Sequence, residues 1–227
     1  MQRREVVDHV HPFLEVGQYK FRRVKAFKYL GLILTEKNDE LTEIKARLQS
    51  GNKCYYGLSN VLKARSISKN LKIQLYRTLI RPVVMYGCEV WTLRKSDQNR
   101  LLIFERKILR RIFGPCIDDT TGEWRIRKNE ELKQLYQIPD IIREIKKRIL
   151  QWAGHAWRKE GTLIRMVQCG NPQEKRPLGR PRLRWEDQVR KDVQTIDPRA
   201  EWNFIAMDRV TWLGVPHLLF FWKRPHL

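Results

Sequence analysis

A pair of carboxylates on adjoining strands can hold two metal ions and so support phosphoryl-transfer chemistry. The chain has one Asp-Asp doublet, Asp118-Asp119, after Gly114-Pro115 and before Thr120-Thr121-Gly122. A short carboxylate among such residues favours accepting hydrogen bonds from neighbouring backbone N–H groups. The doublet therefore reads as a turn or cap. Metal ligation is weakly signalled: His155 would need Cys116 and Cys169, both distant in sequence, whereas zinc sites are usually built on close ligand pairs. His155, inside Trp152-Ala153-Gly154-His155-Ala156-Trp157, is expected to pack between the two tryptophans. No Ser-His-Asp or Cys-His grouping has local support, and no Gly-rich phosphate loop is present.

Binding chemistry has a stronger basis. Forty-six Lys and Arg face 25 Asp and Glu, giving a formal charge of +21 and a pI near 10.2. A chain this basic repels itself unless it meets a polyanion. Nucleic acid ranks first, because neutralising phosphates releases counterions; an anionic membrane surface ranks second. The interleaving of Arg with Trp, Tyr and Phe favours the former. The four cysteines, Cys54, Cys88, Cys116 and Cys169, have no regular spacing, which suits free thiols in a reducing, intracellular compartment, nuclear or cytoplasmic. Residues 1–7 lack the apolar stretch of a signal peptide. The most apolar run, Val210 to Trp222, is interrupted by Gly214 and Pro216 and is too short to span a bilayer.

These side chains must be positioned by two kinds of element. Residues 13–34 alternate as strands do: Phe13 to Val16, a turn at Gly17-Gln18, then Tyr19 to Val24 predict a hairpin, with Phe27 to Leu34 as a third strand. From Asn38 the period becomes helical. Leu41, Ile44, Leu48, Leu58, Val61 and Leu62 mark one helix, or two with a break at Gly51. Ser68 is placed to cap the next, whose apolar face would be Leu71, Leu75, Leu79 and Ile80, with Pro82 bending or ending it. A strong helix starts at Ser96-Asp97, turns Leu101, Leu102, Phe104, Ile108, Leu109, Ile112 and Phe113 inward, and stops at Gly114-Pro115. A loop over 115–128 leads to helices at 130–136 and 140–157. Cys169 to Arg182, rich in Pro, Gly and Arg, reads as an extended linker. Helices at 184–196 and 201–212 follow. The fold class is α+β, mostly α.

Phe27-Lys28-Tyr29-Leu30-Gly31-Leu32-Ile33-Leu34, followed by Tyr76-Arg77-Thr78-Leu79-Ile80-Arg81-Pro82-Val83-Val84-Met85-Tyr86-Gly87-Cys88-Glu89-Val90-Trp91, resembles reverse transcriptases of non-LTR retrotransposons, the LINE elements of jockey-like and RTE-like type. Further along, Lys128-Asn129-Glu130-Glu131-Leu132, Leu150-Gln151-Trp152-Ala153-Gly154-His155, Gly179-Arg180-Pro181-Arg182-Leu183-Arg184-Trp185 and Ala206-Met207-Asp208-Arg209-Val210-Thr211-Trp212 resemble the C-terminal regions of the same elements. The resemblance covers about residues 13–212. It implies a partial palm over 1–37, a thumb-like helical bundle over 38–114, a helical connector over 115–168, the linker over 169–182 and C-terminal helices with a tail over 183–227. It also implies that Phe27, Lys28, Tyr29, Leu30 and Gly31 are primer-grip-like. Lys45, Arg47, Lys53, Lys63, Arg65, Lys69, Lys72, Arg180, Arg182 and Arg184 become candidate phosphate contacts on RNA or DNA.

In that family the metal-holding carboxylates precede the Phe-Lys-Tyr-Leu-Gly strand; here Asp8 is the only Asp before it. The chain alone is thus expected to be a fragment that binds template–primer without polymerising. It would need no cofactor of its own, although the intact family enzyme uses Mg²⁺, and the fingers and palm of the same polyprotein would be its partner. Arg176-Pro177-Leu178-Gly179-Arg180-Pro181-Arg182 resembles the core of an AT-hook, in which arginines enter a narrow minor groove, but Leu178 replaces a basic residue; a basic linker touching nucleic acid non-specifically is the favoured reading. Three alternatives to the polymerase fragment stand: a degenerate open reading frame without function, a domesticated basic DNA- or RNA-binding module, and an enzyme in its own right, which the missing carboxylates count against.

Overall fold

The computed structural model describes residues 12–36, 39–118, 120–170 and 183–221. The expected α+β, mostly helical class is what the chain adopts. Contacts divide it into two units, with the boundary between Glu43 and Ile44.

The first unit is built from two antiparallel hairpins. β1 (Phe13–Val16) pairs with β2 (Tyr19–Arg22) around Gly17, whose φ of +60° suits the turn. Period-2 alternation sends Leu14, Val16, Tyr19 and Phe21 to one face and Phe13, Glu15, Lys20 and Arg22 to the other. The expected third strand is instead a second hairpin, β3 (Ala26–Tyr29) with β4 (Leu32–Thr35). Leu30 and Gly31 both take positive φ, 46° and 82°, which matches the right-handed twist of the flanking strands and folds the segment back on itself. The Ile33 N–H donates to the Glu43 carboxylate at 2.7 Å, tying this hairpin to the start of α1 (Glu40–Gly57).

The second unit is helical. Gly51 does not break α1. It sits where Val84 and Phe104 pack against the helix; a Cβ there would lie 2.3 Å from Val84 Cγ2. The break falls later, before α2 (Ser59–Lys63). Ser68 caps α3 (Lys69–Leu75) as expected, accepting from the Leu71 N–H at 3.2 Å. Its inward line, however, is Lys72, Tyr76 and Ile80, whereas Leu71 and Leu79 are exposed. A π turn over Tyr76–Ile80 intervenes before α4 (Arg81–Met85), whose first turn accommodates Pro82. Gly87, at φ +70°, then leads into a 3₁₀ turn, Cys88–Val90.

α5 (Lys95–Phe113) buries Leu101, Phe104, Ile108, Leu109, Ile112 and Phe113 and ends at Gly114, φ +73°. The expected loop after it carries a short hairpin, β5 (Cys116–Ile117) with β6 (Trp124–Arg125). α6 (Asn129–Tyr136) follows, and α7 (Ile141–Trp157) starts from Asp140, whose carboxylate accepts from the Arg143 N–H at 2.9 Å. α8 (Leu163–Cys169) forms where no element was expected, just ahead of the linker, most of which lies outside the described residues. α9 (Trp185–Gln194) is followed by α10 (Trp202–Met207) and α11 (Arg209–Phe221). The single helix expected over 201–212 is divided at Asp208, whose carboxylate accepts from the Val210 and Thr211 N–H groups at 3.0 and 3.1 Å.

α5 and α7 form the centre. α7 packs on α5, α8, α9, α10, α11 and the 3₁₀ turn. Its Gly154 meets the Trp212 indole, where a Cβ would be 2.0 Å from Nε1, and that Nε1–H donates to the Leu150 carbonyl at 2.9 Å. Among the described residues no helix is long and apolar enough to cross a membrane.

Candidate nucleic-acid interface

In the first unit the pleat of β3 places Phe27 and Tyr29 on one face, their rings stacked with centroids 6.5 Å apart and both more than half exposed. Cross-strand register adds Leu32 and Leu34 to the same face. Lys28 points to the other, beside Ile33, and Leu30-Gly31 make the exposed turn. The primer-grip-like segment is thus a hairpin tip with an aromatic face and a basic edge.

In the second unit Lys45, Lys53, Lys63, Arg65 and Lys69 are exposed along α1, α2 and α3, which is the condition for reaching phosphates. Arg47 lies with its guanidinium 4.8 Å over the Tyr86 ring. Lys72 is 7% exposed and turned into the helix packing. Arg184 is exposed just ahead of α9, while Arg180 and Arg182 lie outside the described residues. The apolar period of α5 leaves Arg100, Arg106, Lys107, Arg110 and Arg111 for solvent or phosphate; of these, Lys107 joins α1 to α5: its ammonium donates to Asn52 Oδ1 at 3.2 Å and Tyr56 Oη at 3.1 Å, and sits 4.8 Å over the Tyr56 ring. Its partners lie on α1, more than fifty residues earlier, so the sequence gives no local sign of that contact.

The polar residues that are buried do structural work. The Tyr76 hydroxyl donates to Glu105 Oε1 at 2.8 Å, and Glu105 Oε2 accepts from the Ile141 N–H at 2.9 Å. Arg81 donates to the Tyr136 hydroxyl at 3.3 Å and to the Pro139 and Asp140 carbonyls at 2.9 Å each. Burial raises the Glu105 carboxyl above its ordinary value, raises Tyr76 well above its own, and pushes Tyr136 up to about 12. The Cys88 thiol is likewise pushed up to about 12 by burial. Cys54, Cys88 and Cys116 are free thiols.

Asp118 serves the turn, as expected: Oδ1 accepts from the Thr120 N–H at 3.0 Å and Oδ2 from Arg125 Nε at 2.8 Å. The Arg125 fork also grips Glu131 at 2.6 and 3.1 Å, holding the Glu131 carboxyl down at about 2. Asp119 lies outside the described residues. Among the described residues no group of three or more His, Cys, Asp or Glu could hold a metal ion.

His155 packs differently from the expectation. Its ring lies 5.6 Å from Trp152, while Trp157 packs on Trp202 at 4.9 Å. Arg148, Gln151, Trp152 and His155 recur at helical spacing on one face of α7, and with Glu89 of the 3₁₀ turn they line an open cleft of about 450 Å³. Trp185 Nε1 donates to the Glu89 carbonyl at 2.9 Å, fixing that turn.

Fold and surface define a strongly basic, mostly helical α+β protein carrying exposed hairpins at its N-terminal end. An uncharacterized transposon-derived protein of Caenorhabditis elegans, F52C9.6, is 32% identical over 198 residues, 85% of this chain and 70% of that protein. The chain belongs to this family of transposon-derived proteins. A Drosophila melanogaster protein described as a probable RNA-directed DNA polymerase from transposon X-element is 27% identical over 162 residues, 69% of this chain and 17% of the polymerase. No protein-family model and no solved structure matches the chain.

Proposed function

We propose that the chain is the nucleic-acid-holding part of a retrotransposon RNA-directed DNA polymerase: the β3–β4 tip acts as a primer grip, and α1 to α5 act as a thumb along the template–primer duplex. The observation that carries this reading is the similarity to a stretch of the X-element polymerase, in a chain of formal charge +21. The exposed aromatic face at Phe27 and Tyr29, next to Lys28, supports it, as do the exposed lysines of α1 to α3. Phosphate contacts supply the affinity and carry no base information. On this reading the chain by itself binds without polymerising, and the fingers and palm of the polyprotein are the partner that supplies the metal-holding carboxylates.

Fluorescence anisotropy on an RNA–DNA template–primer tests this at two salt concentrations. Six to ten phosphate contacts would cost roughly 10³–10⁵ in affinity between 50 and 200 mM salt. A flat salt response sinks the reading. So does Mg²⁺-dependent nucleotide incorporation by the purified chain on poly(rA)–oligo(dT), since it would place an active centre within these residues.

A further inference from the structure

The cleft on α7 is used by none of the contacts assigned to template–primer. We propose that it is a pocket for one unpaired guanine of a single-stranded nucleic acid. The inference rests on the nucleic-acid-binding reading above and extends it from phosphates to a base.

Each wall of the cleft meets one requirement of that ligand. Arg148, Gln151, Trp152 and His155 project from one face of α7. Glu89 faces them from a turn held in place by its own carbonyl, which accepts from Trp185 Nε1, and by the packing of α7 on that turn. The cleft, about 450 Å³, is open, so it can cover one face and one edge of a base without enclosing it. Trp152 and His155, with rings 5.6 Å apart and tilted by 32°, form one continuous aromatic wall on which a base can stack.

The polar groups select among bases. Glu89 Oε1 and Arg148 Nη1 form an ion pair at 3.9 Å, longer than a hydrogen bond, and Arg148 also bonds the Cys88 thiol, so a carboxylate and a guanidinium lie side by side at the cleft. A carboxylate only accepts, and a guanidinium only donates. The Watson–Crick edge of guanine presents two adjacent N–H donors, N1 and N2, next to the O6 acceptor, the complement of that arrangement. Adenine and cytosine each offer a single amino group beside an acceptor nitrogen, and uracil a single imino group between two carbonyls. That edge is available only in an unpaired base, which is where proteins read RNA sequence. With Glu89 opposing Arg148, the cleft is also locally balanced within a strongly basic chain, which disfavours a phosphate as its occupant.

The test uses the full chain and fluorescein-labelled octamers of uridine carrying one central guanosine, adenosine or inosine, followed by anisotropy at fixed salt. The guanosine octamer should bind roughly 5- to 150-fold tighter than the adenosine one, the discrimination of one good bidentate contact. Inosine, which lacks the 2-amino group, should fall between them. Glu89→Gln should bring guanosine down to the adenosine level while leaving the adenosine octamer unchanged, and that unchanged affinity also reports that the variant is folded. Trp152→Ala should weaken the guanosine octamer selectively. Equal binding of the three octamers, or a guanosine preference that survives Glu89→Gln, overturns the pocket and leaves the phosphate-binding reading standing. Failure to bind any octamer overturns the pocket, and the duplex reading falls only if the template–primer also fails to bind.

Discussion

The hairpin unit and the helical unit use apolar residues in opposite ways. Leu14, Val16, Tyr19 and Phe21 form one face of β1–β2, and Phe27, Tyr29 and Leu34 belong to one face of β3–β4; each of these residues is more than half exposed. In the helical unit Ile44, Leu62, Tyr76, Ile80, Val84, Leu101, Ile108, Ile141, Ile145 and Ile149 are wholly buried in one continuous core. Both halves are well patterned. Alternation tells a strand which side to present, but a face becomes a core only when another layer covers it, and two-stranded hairpins are marginal without one.

The largest expected difference is in local stability. Amides of residues 13–34 should exchange with solvent roughly 10³-fold faster or more than those of Leu101 to Ile112, because core helices open only near the global unfolding free energy. Hydrogen exchange resolved by residue would break the comparison if the hairpins proved the slower part.

Next comes the buried network. Glu105→Ala leaves the Tyr76 hydroxyl and the Ile141 N–H without an acceptor, at about 1–3 kcal/mol for each orphaned donor, seen as a lower urea midpoint. A pH series sharpens this. Because burial raises the folded Glu105 above its ordinary value, the folded state holds more protons than the unfolded one between the two values. Stability therefore falls as pH rises from about 4.3 through the raised value. Glu105→Gln should remove that part of the slope. Glu131, held at about 2, acts in the opposite sense: its contribution is present above the ordinary carboxylate range and is lost as pH falls towards 2.

Gly154→Ala should cost about 1–3 kcal/mol, because the new Cβ meets the Trp212 indole and must displace it from Leu150. The smallest effect belongs to the hairpins. Leu14→Ser and Phe21→Ser should move the unfolding midpoint of the helical unit by no more than about 0.5 kcal/mol, as exposed positions do. A larger shift would mean that these faces are covered after all.

Much of this was legible in residue order. Ser68, Asp140 and Gly114 mark helix ends by local chemistry, and α5 follows its apolar period closely. The misreadings share one physical cause, contacts made far away in sequence. Gly51 looked like a break because its lack of a side chain is explained only by Val84 and Phe104. Lys72 was expected to reach phosphate, yet it is buried, as is Arg81, which is satisfied by Tyr136 and the carbonyls of Pro139 and Asp140. The second hairpin was hidden because Leu30, unlike glycine, gives no hint of a positive φ. At the cleft, Trp152 and His155 belong to one motif and Glu89 to another, some sixty residues earlier, so nothing local showed that they meet.

The π turn at Tyr76–Ile80 has a consequence for how this segment can change length. A helix that carries one surplus residue advances the azimuth of everything after it by about 100°. That phase slip carries Arg81 round to the carbonyls before α7 while Tyr76 still meets Glu105. Removing a single residue there would restore an ordinary helix and rotate Arg81, Val84 and Met85 away from their partners together. The segment is therefore a vernier whose reading depends on residue number rather than residue type. It should be more sensitive to one-residue insertions and deletions than to conservative substitutions at Arg77, Thr78 or Leu79, which face solvent.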